Sequence, residues 1–355
     1  MKIGIDLGGS HIAVGLIQSN GNILSKKEVQ ILKEDEKNIT DIIENYICTS
    51  VAEITEFNSV DEIGIAIPGT IGTSKVVKSV NLGLEDYDIV KELNKKINLP
   101  IKIKNDAKCA AIAENTYGSL KQYSNSVFLT LGTGIGGAVF FNNKLLSPDG
   151  VPGFEFGHMV IKQNGRLCKC GKRGCFEQYG SMKIFKEKII EELKLDSKID
   201  GEELLKIVER KKNTTAVIDI IDEYTTDLSV GISNLINIFE PHAIGIGGSF
   251  IYFEQLLLPQ LKSKLLDGNL LFNRREDIII NTATLGNDAG MIGATLIWCW
   301  LLGRRKWCFG DGGSDALGTE KAMPWGRRKK KRCLGDGGKR SDALGTEEKV
   351  SLGKT

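Results

Sequence analysis

The first thirty residues carry three short runs of alternating apolar and polar positions, separated by turn residues. Lys2 opens an apolar run that ends at the glycine pair Gly8-Gly9, a second run covers Val14 to Ile17, and Asn20-Gly21 precedes a third. Such alternation predicts strands, and Asn-Gly between two of them favours a tight hairpin. The chain is therefore predicted to begin with three strands joined by tight turns.

After these strands, the pattern predicts helices and strands in alternation. A helical periodicity runs from about Glu36 to Phe57, an apolar strand from Ile63 to Gly69, and a second apolar strand, LPIKIKND, follows. The next stretch, AKCAAIAENTYG, has the composition of a helix that Gly118 closes. Asn105 and Asp106 are thus predicted to lie where a strand gives way to a helix.

The second half of the chain opens in the same way as the first, with a strand, a glycine turn and a strand from Ser126, which suggests two related halves. Strands that alternate with helices indicate an α/β fold. We place the domain boundary near Gly118, which gives domains of residues 1–118 and 119–297. The other predicted elements are helices at Met182–Leu195, Glu202–Lys212, Ala216–Phe239 and Phe253–Leu266, the strands HAIGIGG and DIIINTA, and a last helix from Asp288.

The composition changes near Ile297. All four tryptophans lie beyond that point, together with the basic run RRKKKR, and GDGGSDALGTE is echoed by GDGGKRSDALGTEE without the apolar periodicity of a packed repeat. Residues 298–355 are predicted to be a low-complexity basic tail that is non-native or disordered, although a block of like charge can also be an interaction arm. From Leu301 onward the chain has 14 Lys/Arg and 7 Asp/Glu, whereas the whole chain has a net charge of only +2. The rest of the chain is therefore acidic.

Membrane and secreted proteins are disfavoured by the sequence. No apolar run reaches the roughly 18 residues of a membrane span, and Met1 leads into KIGIDLGG without a signal-like segment. We expect a cytoplasmic protein that binds neither membrane nor nucleic acid. Three of the eight cysteines fall between Cys168 and Cys175, a grouping that favours metal binding over a disulfide framework.

Three glycine-rich turns each follow an apolar strand: DLGGS at 6–10, LGTGIGG at 131–137 and GIGGS at 245–249. Glycine lets backbone N–H groups approach phosphate closely, although one such turn alone would be interpreted as an ordinary hairpin. LGTGIGG contains G-x-G-x-x-G but leads into a strand, whereas a dinucleotide fold requires a helix there, and no G-x-x-x-x-G-K-[ST] occurs. The recurrence predicts a strand-turn-strand phosphate clamp, with Asp6 suited to a water bound to Mg²⁺.

A metal site is predicted by four residues, His158, Cys168, Cys170 and Cys175, in the order H-x9-C-x-C-x4-C. One imidazole and three thiolates complete a tetrahedral shell for Zn²⁺ and leave no position for a reacting water, so the predicted zinc is structural. The alternatives are reduced, solvent-facing thiols and a catalytic zinc. Three cysteines within eight residues of a cysteine-poor region disfavour the first.

Two segments around these ligands carry a more specific resemblance. GFEFGHMVI at 153–161 and CKCGKRGCFEQYGS at 168–181 resemble the signature pair E-x-G-H and C-x-C-G-x-x-G-C-x-E of the ROK family, which comprises bacterial sugar kinases and sugar-responsive repressors. The resemblance extends from Met1 to about Ile297, and among the members it is greatest to the glucokinases. It implies an actin-like two-domain sugar kinase fold with a structural zinc loop, and ATP-dependent phosphorylation of a hexose.

The resemblance also implies roles for individual residues. Asp106 would be the catalytic base that accepts the proton of the sugar hydroxyl, a role compatible with capping the helix that follows. His158 would bind zinc through one ring nitrogen and the sugar through the other. The implied sugar-binding residues are Gly69, Asn105, Asp106, Glu155, His158 and Glu177; the implied ATP-binding residues are Asp6, Gly8, Gly9, Ser10, Gly132, Thr133, Gly134 and Gly136 at the phosphates, and Gly247 and Gly248 near the adenosine.

Several alternatives remain open. Glucose, phosphorylated at its 6-hydroxyl, is the first choice of substrate, but N-acetylmannosamine and N-acetylglucosamine kinases share every residue named above, and Glu155 and Glu177 could be solvent-facing charges. From another class, a sugar-responsive transcriptional regulator would carry a helix-turn-helix region before the first strand, which here is predicted to begin at Lys2. We expect a hexose and ATP as ligands, Mg²⁺ and Zn²⁺ as metal ions, and a homodimer or homotetramer.

Overall fold

The fold is built on two five-stranded sheets, seen in a computed structural model that describes residues 1–9, 11–31, 38–146, 153–266 and 278–301. Within these residues the strands are β1 (Lys2–Leu7), β2 (His11–Ile17), β3 (Ile23–Gln30), β4 (Glu62–Ile67), β5 (Thr70–Ile71), β6 (Val76–Ser79), β7 (Leu84–Tyr87), β8 (Ile101–Asn105), β9 (Ser126–Leu131), β10 (Ile135–Phe141), β11 (Lys144–Leu145), β12 (Ala243–Gly247) and β13 (Ile279–Thr282).

The two sheets repeat one topology. The first has the order β3-β2-β1-β4-β8 and the second β11-β10-β9-β12-β13. In each, the three strands nearest the start of that half are antiparallel neighbours, and the last two strands are parallel to the first. The prediction of two related halves in an α/β fold is confirmed by this repetition.

The helices cover both sheets and the space between them. Within the described residues they are α1 (Ile39–Phe57), α2 (Ile89–Leu93), α3 (Asp106–Thr116), α4 (Glu177–Gly180), α5 (Met182–Glu192), α6 (Gly201–Lys211), α7 (Thr215–Phe239), α8 (Glu254–Leu266), α9 (Ala289–Ala294) and α10 (Ile297–Leu301). The apolar stripe of α1, including Ile43 and Ile47, is buried with the strands of the first sheet. Helices α5, α7 and α8 share a larger core with the second sheet.

Two of these helices, α3 and α9, pack against each other and connect the halves. Helix α3 follows β8 of the first sheet and contacts β9 and β10 of the second. Helix α9 follows β13 of the second sheet and contacts β1 and β4 of the first. Each half therefore contributes one helix to the interface with the other, and residues at the start of α3 face both sheets.

A row of glycines lets α9 lie directly on the backbone of the first sheet. Gly15, Gly4 and Gly64 are neighbours in register across β2, β1 and β4. A Cβ on Gly4 would overlap the carbonyl oxygen of Met291, and a Cβ on Gly64 would overlap that of Ala294. Side chains at these positions would push the helix off the sheet, so the close approach requires glycine.

The structure adds one sheet that the pattern left unassigned. Strands β5, β6 and β7, which follow β4 and precede β8 in the sequence, form a small antiparallel sheet of their own. Its strands are two to four residues long and expose many of their side chains, so they lack a run in which period-2 alternation could be recognised. This sheet forms a wall of the cleft described below.

The end of the described chain differs from the prediction at four residues. Trp298 to Leu301 were assigned to the tail, but they continue α10, where the Trp300 ring lies 5.1 Å from that of Phe140. The remainder of the predicted tail, residues 302–355, lies outside the described residues, and the domain boundary near Gly118 stays a prediction. No helix in the described ranges is long and apolar enough to span a bilayer.

Candidate active site

A cleft of about 450 Å³ lies between the two sheets, at the start of α3. Ten of the residues implied by the family resemblance line it: Gly69, Asn105, Asp106, Gly132, Thr133, Gly134, Gly136, Glu155, His158 and Glu177. Asp6, Gly8, Gly9, Gly247 and Gly248 do not line it, and Ser10 lies outside the described residues. The structure thus brings together the residues implied in sugar binding and the second glycine turn.

The junction of β8 and α3 positions Asn105 and Asp106. The Asn105 side chain caps the helix by accepting the N–H of Lys108 at 3.1 Å, and its amide donates to the carbonyl of Gly69 at 3.1 Å. The same amide donates to Asp106 Oδ1 at 3.0 Å, and the N–H of Ala107 donates to that oxygen at 2.8 Å. Both of these donors bind Oδ1 of Asp106.

The electrostatic surroundings make Asp106 a better proton acceptor than an ordinary aspartate. Burial raises its pKa above the usual value, and the negative charge of Glu155 acts in the same direction. The hydrogen bonds from Ala107 and Asn105 oppose this shift because they favour the carboxylate. A half-buried carboxylate with a raised pKa in a cleft is a typical arrangement for a general base.

The turn between β9 and β10 is closed by a carboxylate from the metal-ligand region. Glu177 Oε2 accepts the N–H of Ile135 at 3.2 Å and covers Gly134, where a Cβ would overlap this oxygen. Gly132 differs, because a Cβ there would meet no atom within 4 Å. The N–H of Gly132 donates to the carbonyl of Gly134 at 3.0 Å, which makes the turn tight. The open side at Gly132 leaves room for a phosphate-sized anion against the backbone.

Asp6 lies at the end of β1, close enough to Asp106 for their charges to interact. Burial and the negative charge of Asp106 together raise the pKa of Asp6 to about 7, although Lys26 opposes the shift. A Cβ on Gly290 would lie 2.5 Å from Asp6 Oδ2, so the start of α9 rests on this carboxylate. A dication near Asp6 would favour its ionised form.

The first and third glycine turns do not line the cleft but lie next to residues that do. A Cβ on Gly9 would lie 3.3 Å from the Cβ of Asn81, a residue of the cleft wall, and a Cβ on Gly8 would lie 2.6 Å from the His11 ring. Gly247 pairs with Thr130 of β9, beside the second turn. Gly248 has φ +73°, in the left-handed region, and a Cβ there would lie 2.5 Å from the carbonyl oxygen of Leu131.

The four predicted metal ligands form a cluster whose ligand atoms lie within 4.8 Å of one another: His158, Cys168, Cys170 and Cys175. Cys168 Sγ lies 3.7 Å from His158 Nδ1, and Cys170 Sγ lies 3.6 Å from Cys175 Sγ. Ligand atoms of a tetrahedral site with Zn–S bonds of about 2.3 Å are separated by about 3.7 Å, so these residues fit Zn²⁺. The backbone N–H of Lys172 lowers the pKa of the Cys170 thiol, whereas burial raises the pKa of Cys175 to about 12.

The metal cluster and the cleft share one residue, His158. His158 directs Nδ1 towards the cysteines and lines the cleft as well. The N–H of Phe176 donates to the carbonyl of Met159 at 2.7 Å, which ties the segment after Cys175 to the segment after His158. Glu177 follows directly at the start of α4. A metal ion in this cluster would fix two residues of the cleft wall together.

The profile of the ROK family matches residues 2–300. The chain belongs to the ROK family. The match includes the sheets, the glycine turns, the metal cluster and most of α10, and it confirms the resemblance that the two signature segments indicated.

Relatives of this ROK protein include both kinases and repressors. Streptomyces coelicolor glucokinase is 29% identical over 309 residues, which are 83% of this chain and 96% of the glucokinase. A xylose repressor of Bacillus spizizenii is 29% identical over 268 residues, which are 74% of this chain and 68% of the repressor. Identity alone therefore does not separate the two functions of the family.

A solved ROK structure shares the fold. The crystal structure of a glucokinase from Streptomyces griseus, in complex with glucose and AMPPNP, is 27% identical, with a TM-score of 0.68, over 83% of this chain and 97% of the glucokinase. The predicted fold class, an actin-like two-domain sugar kinase fold, is confirmed by this agreement together with the repeated sheet topology.

The sequence of this ROK protein gave no signal for part of the cleft wall. Lys78, Ser79 and Asn81 line the cleft from β6 and the turn after it, and Val80 beside them is 74% exposed. Lys108 also lines the cleft and is only 8% exposed; burial lowers the pKa of its ammonium group. A lysine in a predicted helix is usually interpreted as a solvent-facing residue, so only the structure reveals Lys108.

Proposed function

We propose that this ROK protein transfers the γ-phosphoryl group of ATP to the 6-hydroxyl of a hexose, with glucose as the substrate. The observation that carries this proposal is the position of Asp106, which lies in a cleft between an open glycine turn and the side chains of Glu155, His158 and Glu177. A base between a site for phosphate and a site for hydroxyl groups is the arrangement that phosphoryl transfer to an alcohol requires.

Asp106 acts as the general base in this proposal. Its Oδ1 is held by Asn105 and by the N–H of Ala107, so Oδ2 accepts the proton of the sugar hydroxyl as the oxygen attacks phosphorus. The raised pKa brings the carboxylate nearer to the range in which a base is effective at neutral pH. The proton passes to Asp106, and the leaving group is ADP.

The sugar is bound by carboxylates and an imidazole on the side of the metal cluster. Glu155 and Glu177 accept hydrogen bonds from sugar hydroxyls, and the Nε2 atom of His158 faces the sugar while Nδ1 binds zinc. Asn105 and the backbone at Gly69, already linked by a hydrogen bond, contact the sugar beside Asp106. A Zn²⁺ ion held by His158, Cys168, Cys170 and Cys175 would be structural and would keep this wall in one conformation.

The nucleotide is bound by the glycine turns. The backbone from Gly132 to Gly136 cradles the phosphates together with the turn after β1, and Gly247 and Gly248, beside the end of β9, bind near the adenosine. Asp6 would hold, through a water, the Mg²⁺ ion that accompanies ATP, a role that suits one carboxylate beside phosphate oxygens. Mg²⁺ supplies neutralisation of the phosphate charge.

A coupled assay of ADP release tests the proposed function. The purified full chain is given Mg-ATP with glucose, mannose, fructose, N-acetylglucosamine or N-acetylmannosamine in turn, and the phosphorylated position of any product is assigned by phosphorus NMR. We expect glucose to give the highest kcat/KM, with glucose 6-phosphate as product.

Two results of this assay would contradict the proposal. A higher kcat/KM with an N-acetylhexosamine than with glucose would identify that sugar, and not glucose, as the substrate. Glucose binding in calorimetry without ADP release from any sugar would instead favour a sugar-responsive regulator, the other function found among ROK relatives.

A further inference from the structure

One glutamate outside the cleft accepts hydrogen bonds from two distant parts of the chain. Glu114, near the end of α3, is fully buried. Its Oε2 accepts the N–H of Ser119 at 2.7 Å and the Ser119 hydroxyl at 3.0 Å, and its Oε1 accepts the N–H groups of Thr284 at 2.9 Å and Leu285 at 2.7 Å. The Thr284 hydroxyl adds a fifth bond to Oε2 at 3.3 Å.

The two segments held by Glu114 are the connections between the halves of the molecule. Ser119 lies where the chain leaves α3 for the second sheet, and Thr284 and Leu285 lie where it leaves β13 for α9. Gly118 stands between them, and a Cβ there would overlap Glu114 Oε2. The carboxylate therefore fastens both crossings at one point, and a glycine makes room for it.

The far end of α3 and the start of α9, which follows the segment that Glu114 holds, contact the proposed reacting groups. Asp106 is the first residue of α3, eight residues before Glu114, which is about 12 Å along a helix. Gly290, near the start of α9, lies against Asp6. Glu114 does not touch the cleft, but the helix that carries it and the helix it holds lead to the proposed base and to the proposed magnesium-binding carboxylate.

We propose that Glu114 is a positioning residue for phosphoryl transfer, which sets the placement of Asp106 relative to Asp6 by clamping the connections of α3 and α9. This inference rests on the proposed function. In the proposed function three of the sugar contacts (Glu155, His158 and Glu177) and the phosphate turn at Gly132–Gly136 lie in the second half, so both ligands keep these contacts when the clamp opens. In-line transfer requires both sides in register, and a misplacement of about 1 Å can cost about a hundredfold in rate.

The chemistry of the site requires a carboxylate. All five partners are donors, and an ionised carboxylate only accepts. Glutamine has the same length but turns one oxygen into an NH₂ group that would meet the N–H of Ser119 or the N–H groups of Thr284 and Leu285. Glu114→Gln therefore opens one side of the clamp while it leaves the shape of the buried side chain unchanged.

The test is a comparison of kcat with the separate affinities for glucose and for AMPPNP with Mg²⁺, measured by calorimetry on the full chain. For Glu114→Gln we expect both affinities to stay within about threefold of the parent and kcat to fall by about ten- to a hundredfold. Gly118→Ala displaces the carboxylate without removing it, so it should also lower kcat while both affinities stay near those of the parent. This variant is the test if Glu114→Gln protein does not fold. Glu209→Gln, at an exposed ion pair with Lys212 on α6, is the control and should change neither quantity.

Two outcomes would overturn the inference. An unchanged kcat in folded Glu114→Gln or Gly118→Ala protein would show that the clamp does not position the reacting groups. Affinities that fall as much as kcat would show a general structural role. A parent protein that releases no ADP with any sugar contradicts the proposed function itself, and the inference falls with it; an active parent with unaffected variants contradicts only the inference.

Discussion

The carboxylate of Glu177 covers Gly134. Its Oε2 accepts the N–H of Ile135 at 3.2 Å, in the turn between β9 and β10, while Glu177 itself begins the helix after the metal cluster. One side chain thus joins the proposed phosphate turn to the proposed sugar wall. The overlap that a Cβ on Gly134 would produce makes this junction testable.

Gly134→Ala should weaken sugar binding, because the new Cβ displaces the carboxylate of Glu177. Gly132→Ala is the matched change two residues away, where a Cβ meets no atom within 4 Å. We expect Gly132→Ala to keep the parent affinity for glucose and to lower the affinity for AMPPNP, since its Cβ would occupy the open side of the turn. Calorimetric titration of both variants with both ligands measures this. Equal effects of the two substitutions on glucose affinity would be incompatible with the proposed contact.

Removal of zinc should reduce sugar binding more than ATP binding. The pure protein is expected to contain about one zinc per chain, because the four ligand atoms lie within 4.8 Å of one another and two pairs of them have the separation found in a tetrahedral site. Loss of the metal frees the ring of His158 and the segment that leads to Glu177, whereas Asp6 and Gly132 lie on other elements.

The zinc prediction is measured by metal analysis and by titration of native protein, Cys170→Ala protein and Cys48→Ala protein. Cys48 lies outside the cluster and serves as the control, so its variant should keep the metal. Native protein without zinc, or an equal loss of both affinities in Cys170→Ala protein, would contradict this account.

The pH dependence of kcat should report the raised pKa of Asp106. A general base works when deprotonated, so activity is present above its pKa and is lost as the pH falls through that value. Because burial raises the pKa above the usual value of about 3.9 for aspartate, the acid limb should lie at a higher pH than that. Glu155 contributes to the increase through its negative charge, so Glu155→Gln should shift the limb to lower pH. The measurement is kcat at saturating glucose and Mg-ATP; an acid limb that stays in place or moves upward in this variant would argue against the assignment.

Truncation should separate the folded body from the tail. Removal of residues 302–355 should leave kcat and the melting temperature unchanged, because that segment has the composition of a repeated basic tail. Removal of residues 298–355 also deletes Trp300, which packs on Phe140, and Trp298, which lies 4.7 Å from the ammonium group of Lys102. The protein that ends at residue 297 should melt about 5 °C or more below the protein that ends at residue 301. Thermal denaturation of both proteins checks this. Equal melting temperatures, or loss of activity in the protein that ends at residue 301, would refute it.

Features that are local in sequence could be predicted without the structure. The metal ligands lie within eighteen residues, and three of them are cysteines within eight residues of a region otherwise poor in cysteine. Asn105 and Asp106 were placed at the junction of a strand and a helix because apolar alternation ends there and an alanine-rich stretch follows. The repeated topology followed from the recurrence of a strand, a glycine turn and a strand in both halves.

Features that depend on long-range contacts could not be predicted. Asn81 lies in a segment whose strands are too short to show a period, so its place in the cleft wall depends on how the small sheet packs. Glu114 reads in the sequence as one polar residue in a helix, yet it bonds to Thr284, 170 positions away. Asp6 was expected at the phosphates, and the structure places it beside α9 rather than in the lining of the cleft.

The role of Asp106 as the base is the central claim, and Asp106→Asn tests it most directly. Asparagine keeps an oxygen that can accept the N–H of Ala107, so the start of α3 should remain intact, but it cannot take a proton from the sugar. Asp200→Asn, which alters a carboxylate that caps α6 far from the cleft, controls for the loss of charge at a helix start.

The decisive measurement is kcat for glucose phosphorylation by Asp106→Asn protein, with glucose and AMPPNP affinities measured in parallel. We predict that both affinities stay close to those of the parent and that kcat falls by about 10²- to 10⁴-fold. Turnover above about a tenth of the parent value, with glucose still bound, would contradict the assignment of Asp106 as the catalytic base.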